Sequence, residues 1–142
     1  MHIIQKIIVL IVLIGASQLK CDAQFLYDCS NMTIGQIDSQ GYIYNRSNMT
    51  VGRIKSDGVI ENRSHKIVGK IMNDGRIMDH SNMTIGKVES NGIVKDSRNM
   101  TLGRIKPDGT VVDRNYMTIG RAKDMPITYA ATYFFFNMFE RE

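Results

Sequence analysis

Glycine recurs on a fixed interval in this chain. Gly35, Gly52, Gly69, Gly86, Gly103 and Gly120 stand 17 residues apart, and Gly41, Gly58, Gly75, Gly92 and Gly109 keep the same step. These two columns take eleven of the twelve glycines. A unit this short cannot enclose a core of its own, so successive copies must bury surface against one another. The unit reads Asn-Met-Thr-Ile-Gly-basic-Ile-x-x-Asp-Gly-x-Ile-x-Asp. Asn48-Met49-Thr50-Val51-Gly52-Arg53-Ile54 and Asn99-Met100-Thr101-Leu102-Gly103-Arg104-Ile105 are two of its first halves. The third copy departs most, with His65-Lys66-Ile67-Val68. Five full copies run from Ser30 to Arg114. Phe25 to Asp28 matches a second half and Asn115 to Arg121 a first half, which makes six copies of each half.

Each copy predicts a β-hairpin. Asp-Gly in the turn suits a two-residue type I′ loop. Pro107, in Pro107-Asp108-Gly109, suits a type I turn followed by a left-handed glycine, which is a three-residue loop. The two loops give different registers. The two-residue loop sets Ile43 opposite Asp38 and Ile60 opposite Lys55. The three-residue loop sets Ile37 opposite Ile43, Ile54 opposite Ile60, Ile71 opposite Ile77, Val88 opposite Val94 and Ile105 opposite Val111. Those pairs are β-branched throughout, the favoured cross-strand arrangement, and the three-residue loop is expected.

That register places the first glycine column opposite Asn45, Asn62, Asp79, Asp96 and Asp113, on the face of the aliphatic pairs. Before each glycine the apolar residues fall on one face, and after it on the other. A bulge or bend at the glycine reconciles them; cover on both faces by neighbouring copies is the alternative. The methionine column, Met32, Met49, Met83, Met100 and Met117, is expected to form a packing layer between hairpins.

The expected fold is all-β: a closed ring of repeated two-stranded β-hairpins, flower- or propeller-like, with a short aromatic C-terminal segment. The matching half-copies at the two ends would close the circle. An open β-solenoid is the alternative, but a solenoid needs polar caps, and the N-terminal half-copy has none. The repeated Gly-x-Ile-x-x-Asp-Gly-x-Ile-x-Asp resembles the bacterial five-fold beta-flower proteins, from Phe25 to Phe136. The resemblance implies a small closed β-structure and no particular activity. Six of each half-copy leave the number of petals open between five and six.

The chain divides into residues 1–23, a repeat domain over 24–123, and an aromatic tail over 124–142. Lys6 followed by the aliphatic run Ile7 to Ile14 and by Gly15-Ala16-Ser17 has the layout of a secretory signal peptide. Cleavage after Ala23 is expected; Ala16 is the runner-up. Leu19-Lys20 before Cys21 fits lipoprotein anchoring less well. Cleavage after Ala23 leaves 119 residues and lowers the net charge from +4 to +3, through loss of Lys6, Lys20 and Asp22. It leaves Cys29 as a lone thiol, read as a small filler residue. In the tail, Pro126 replaces the turn glycine. Tyr129, Tyr133 and Phe136 then keep helical spacing, although the aromatic content also suits a strand. The tail is expected to pack on the ring as a plug in one mouth; an exposed oligomer or membrane-contact patch is the other reading.

Composition excludes several classes. With 43% hydrophobic and 23% charged residues, the chain is neither disordered nor collagen-like. Two cysteines exclude a disulfide scaffold. No 18-residue apolar run marks an integral helical membrane protein.

No catalytic, cofactor-binding or metal-ligating residue is assigned. His65 and His80 sit one copy apart. With Asp79 they form the one conceivable metal or enzyme cluster, without a repeated ligand spacing or a nucleophile–base order. The Asn/Asp column could ring a cation with oxygens or, more simply, close local Asx turns. Arg53, Lys70, Lys87, Arg104 and Arg121 make a basic stripe, interrupted by Glu61 and Glu89. A solvated outer face accounts for it, and the modest charge and export disfavour nucleic acid. Asn-Met-Thr and Asn-Arg-Ser have the form of glycosylation sequons, but they are one repeated word.

The expected function is that of an exported, non-enzymatic β-repeat protein, secreted or periplasmic, a structural or binding module of the cell envelope. Its partner would be an envelope protein or a glycan. The alternative is a lectin-like, glycan-binding module using Tyr42, Tyr44 and Asn/Asp side chains at the petal rims.

Overall fold

The structure, a computed structural model, describes residues 23–139. The expected signal segment, apart from Ala23, and Cys21 lie outside the described residues. The elements are β1 (Ala23–Asp28), β2 (Thr33–Asp38), β3 (Tyr42–Asn45), β4 (Thr50–Ile54), β5 (Val59–Asn62), β6 (Ile67–Ile71), β7 (Arg76–Asp79), β8 (Thr84–Val88), β9 (Ile93–Asp96), β10 (Thr101–Ile105), β11 (Thr110–Asp113), β12 (Thr118–Ala122) and α1 (Ile127–Phe135). The twelve strands form one closed antiparallel barrel in which each strand pairs with its neighbours in sequence, and β12 pairs with β1.

The closing pair is the expected one. Leu26 faces Ala122 across β1 and β12, so the two end half-copies make the sixth unit. The ring therefore counts six, and the open solenoid is not the fold. The three-residue register holds throughout: Ile37 faces Ile43, Ile54 faces Ile60, Ile71 faces Ile77, Val88 faces Val94 and Ile105 faces Val111. With Leu26 and Ala122 these residues line the barrel interior and are buried.

The hairpins are not separate petals. Each is hydrogen-bonded to the next through a second turn that mirrors the first. In the glycine turn, Lys55 N–H donates to the Val59 carbonyl and Gly58 N–H to the Lys55 carbonyl. In the second turn, Asn62 N–H donates to the Lys66 carbonyl and His65 N–H to the Asn62 carbonyl. Both are three-residue loops whose last residue is left-handed: Gly58 at φ 91° and His65 at φ 65°. The glycine turns form one rim of the barrel, and the second turns form the other.

The residue types differ because the surroundings differ. The carbonyl of Gly58 accepts from Ile71 N–H at 2.8 Å, so its α-carbon lies tight on the next strand. A side chain there would collide with the Ile71 backbone. At the opposite rim the left-handed residues Asn31, Asn48, His65, Asn82, Asn99 and Tyr116 are exposed. There the backbone cost dominates, and asparagine bears it well.

The expected bulge occurs in every copy. Tyr44 faces Thr50 and Ile43 faces Gly52, so Val51 is the extra residue. Ile34, Val68, Ile85, Leu102 and Ile119 are its equivalents. The bulge lets these aliphatics pack against the core cluster although they precede the glycine.

A barrel of eight strands is about filled by its own side chains, and twelve leave a wider interior. The C-terminal tail fills it. Chain that would have formed a sixth glycine turn instead passes Pro126 into α1, which buries Ala130, Ala131, Thr132 and Tyr133. The helix reading of the tail is the correct one. The glycine column is the floor on which the tail's side chains rest. Tyr133 lies at Gly35, Phe134 at Gly120, Phe135 at Gly103, Phe136 at Gly86, Met138 at Gly69 and Phe139 at Gly52. Successive bulky residues thus meet successive repeats around the ring. The left-handed Asn137 (φ 51°) turns the chain between the fourth and fifth of them.

The methionine column does not pack between hairpins. Met32, Met49, Met83, Met100 and Met117 are 57–64% exposed on the second rim. The reason is geometric: each follows the left-handed corner of a turn, beyond the last inward-facing position of the wall. Cys29 is likewise exposed there and fills no gap.

Candidate functional site

The two rims differ in chemistry. At the glycine-turn rim, the first turn of α1 stands in the mouth and crevices open between it and the turns. One, of about 400 Å³, lies between the turns of Gly58 and Gly75. Ile71 and Val88 give it an apolar floor, Tyr129 lines it, and Ser56, Asn73, Asp74 and Glu89 supply polar groups. A second, of about 330 Å³, also borders Tyr129 and includes Asp38, Gln40 and Arg53. A third, of about 440 Å³, is bordered by Lys106, Asp108, Arg121 and Met125. Tyr129 is thus common to two crevices.

The carboxylates here are acceptors. Backbone N–H of Arg76 holds the Asp74 carboxyl below its usual range, and the Arg76 guanidinium adds to this, with Nε 2.8 Å from Oδ2. Backbone N–H of Thr110 does the same for Asp108. Groups held this firmly ionised accept hydrogen bonds and are poor proton donors.

Tyr42 and Tyr44 are not at this rim's crevices. Both project from the outer wall of β3. Tyr42 carries the Arg53 guanidinium 4.5 Å from its ring centroid. Tyr44 donates to Asp38 Oδ2 at 2.9 Å, and that bond to a carboxylate raises its pKa. Their alternation in a four-residue strand, with Ile43 inward, sends them outward. The aromatic that does line the crevices, Tyr129, was placed by sequence in the plug and not at a binding surface. Its signal was the missing turn glycine at Pro126, which frees the chain to enter the mouth.

The Asn/Asp column closes turns. Asp28, Asn45, Asn62, Asp79, Asp96 and Asp113 each accept two backbone N–H groups of the second turn through one oxygen; for Asn45 these are Ser47 and Met49, at 2.9 and 3.0 Å. The oxygens face their own loops instead of ringing an axis. Asp79 is held below its usual pKa, chiefly by Met83 N–H. His65 and His80 lie exposed on adjacent second-rim turns. Among the described residues no group of three or more His, Cys, Asp and Glu is arranged to hold a metal. The basic column lies on the outer wall, where Arg121 sits over the Tyr27 ring at 5.2 Å and Arg53 and Arg104 donate to carbonyls of neighbouring glycine turns.

No curated protein and no solved structure matches the chain. A model of the 5-fold beta-flower protein family matches residues 23–138, the barrel and nearly all of its plug, and the chain belongs to that family, with a ring of six units.

Proposed function

We propose that the chain is an exported, non-enzymatic structural or binding module of the cell envelope that engages its ligand at the glycine-turn rim. The observation that carries this reading is Tyr129, an aromatic wall shared by two crevices with apolar floors and hydrogen-bonding borders. Such a combination suits ligand capture. Export is supported by the Lys6 and Ile7–Ile14 segment, and by a barrel that loses only the first residue of β1 to cleavage after Ala23.

A glycan is the second reading. Sugars stack on an aromatic face and donate hydroxyls to carboxylates and amides, and Tyr129 with Asp74 and Asn73 offers both. The test is a glycan array with the chain from Ala23, beside its Tyr129→Ala variant. Binding that the variant loses supports the lectin-like reading. No binding to any glycan sinks it. Pull-down from the native envelope then tests the protein-partner reading; equal capture by both forms overturns the assignment to this rim.

A further inference from the structure

Of the eight large hydrophobic residues exposed on the described surface, six lie in the turns of the second rim, Met32, Met49, Met83, Met100, Tyr116 and Met117, and a seventh, Ile67, opens β6 beside Lys66 and faces Glu61 on the outer wall. Among the described residues, no element covers this apolar ring. Five cations share the same turns: Arg46, Arg63, Lys66, Arg98 and Arg114, all exposed. They are not evenly spread. The adjacent turns 45–49 and 62–66 contain Arg46, Arg63 and Lys66 and no carboxylate, because the turn-closing position is Asn45 and Asn62 there and aspartate in the other four.

We propose that this rim docks on an anionic lipid bilayer surface, with the sector of Arg46, Arg63 and Lys66 against the headgroups and Met49 and Ile67 entering the acyl boundary. A bilayer supplies both chemistries at once. A soluble polyanion would pair with the cations and leave the methionines in water. A protein partner would need an apolar and acidic surface shaped to this rim, whereas a bilayer adapts to it. Interfacial binding needs no minimum contact; it grows with apolar area inserted and with cations near the anionic surface. Methionine suits such insertion because it is unbranched and adaptable. The inference does not depend on the crevices at the opposite rim.

The test is co-sedimentation of the chain from Ala23 with large unilamellar vesicles of phosphatidylcholine, with and without about one-third phosphatidylglycerol, at low and high salt. Binding is expected to the phosphatidylglycerol vesicles alone, and to weaken with salt. Arg46→Glu with Lys66→Glu should lower the partition at least tenfold. Met49→Ser with Ile67→Ser should lower it as well, with the melting curve unchanged. Lys87→Glu with Arg104→Glu on the outer wall makes the same change in net charge and should retain most of the binding. Equal loss from the wall and rim variants would overturn the proposal, as would no binding to anionic vesicles. Binding to soluble dextran sulfate without binding to vesicles would overturn it too, and would point to a polyanion.

Discussion

Phe135 lies on Gly103 so closely that a β-carbon there would stand 2.6 Å from the ring's Cζ. The same β-carbon would also meet the Val112 carbonyl of the facing strand. The five other inward glycines repeat the arrangement, each with one side chain of the tail. Gly103→Ala therefore overpacks a layer bounded by backbone on one side and an aromatic plug on the other. The expected loss is about 3 kcal/mol of unfolding free energy, read from urea denaturation. In combination with Phe135→Ala, which removes packing of its own, the total loss should be less than the sum of the two, because the ring clash is gone while the carbonyl contact remains.

Ring closure rests on Leu26 facing Ala122. Deleting residues 23–28 removes β1 and opens two unpaired edges, on β2 and β12. Exposed edges invite strand addition from other chains. The shortened protein should lose its single cooperative melting transition and sediment as aggregates. A chain that melts only slightly earlier and stays monomeric would mean that closure contributes little.

The two left-handed columns respond oppositely to substitution. Gly58 has φ 91° and a β-carbon there would come 3.3 Å from the Ile71 carbonyl carbon, with its oxygen nearer still. Gly58→Ala should cost about 2 kcal/mol or more. Asn48, at φ 62°, is exposed. Both variants lose the exposed hydrogen bond that Gln36 Nε2 donates to Asn48 Oδ1; Asn48→Gly should stay within about 0.5 kcal/mol of the parent, whereas Asn48→Val should cost about 1–3 kcal/mol, chiefly from backbone strain. Thermal melts of the three variants give the ranking.

The hairpin register could be read from Ile54 and Ile60 because one loop length pairs every aliphatic in the copy with another. The bulge could be read at Gly52 because the apolar side switched there. The second turn was harder to see. Its left-handed residue is asparagine, histidine or tyrosine, and only burial distinguishes why glycine is obligatory at Gly58 and dispensable at His65. Burial is a property of the closed ring. The exposure of Met49 was hidden for the same reason, since a conserved-looking apolar column reads as core until the turn beside it is placed. The plug was legible as a segment but not as a set of contacts. Its match to the barrel is numerical, with Tyr133, Phe134, Phe135, Phe136, Met138 and Phe139 against six glycines, and strands and helix are not in contact in sequence. Tyr129 was placed correctly in the plug, but its part in the crevices was not legible, because the residues that share those crevices come from turns 55–58, 72–75 and 39–41.

Acid should loosen the turns in a direction that the carboxylates fix. Asp74, Asp79 and Asp108 have folded-state pKa values below the ordinary 3.8, chiefly because backbone N–H groups of Arg76, Met83 and Thr110 donate to them. A carboxyl with a lowered folded pKa contributes stability above its unfolded value, and that contribution is lost as pH falls through the folded one. The melting temperature should therefore be level from about pH 7 to pH 5 and decline below about pH 4. Asn45 and Asn62 make the same two backbone bonds with an amide oxygen that does not titrate. Asp79→Asn should accordingly keep the turn at neutral pH and flatten the acid limb, while Asp79→Ala should lower the melting temperature at every pH. Circular-dichroism melts of the three proteins between about pH 2 and pH 7 decide the matter. A parent whose stability rises on acidification, or an Asp79→Asn variant with an acid limb steeper than the parent's, would show that the turn carboxylates do not govern it.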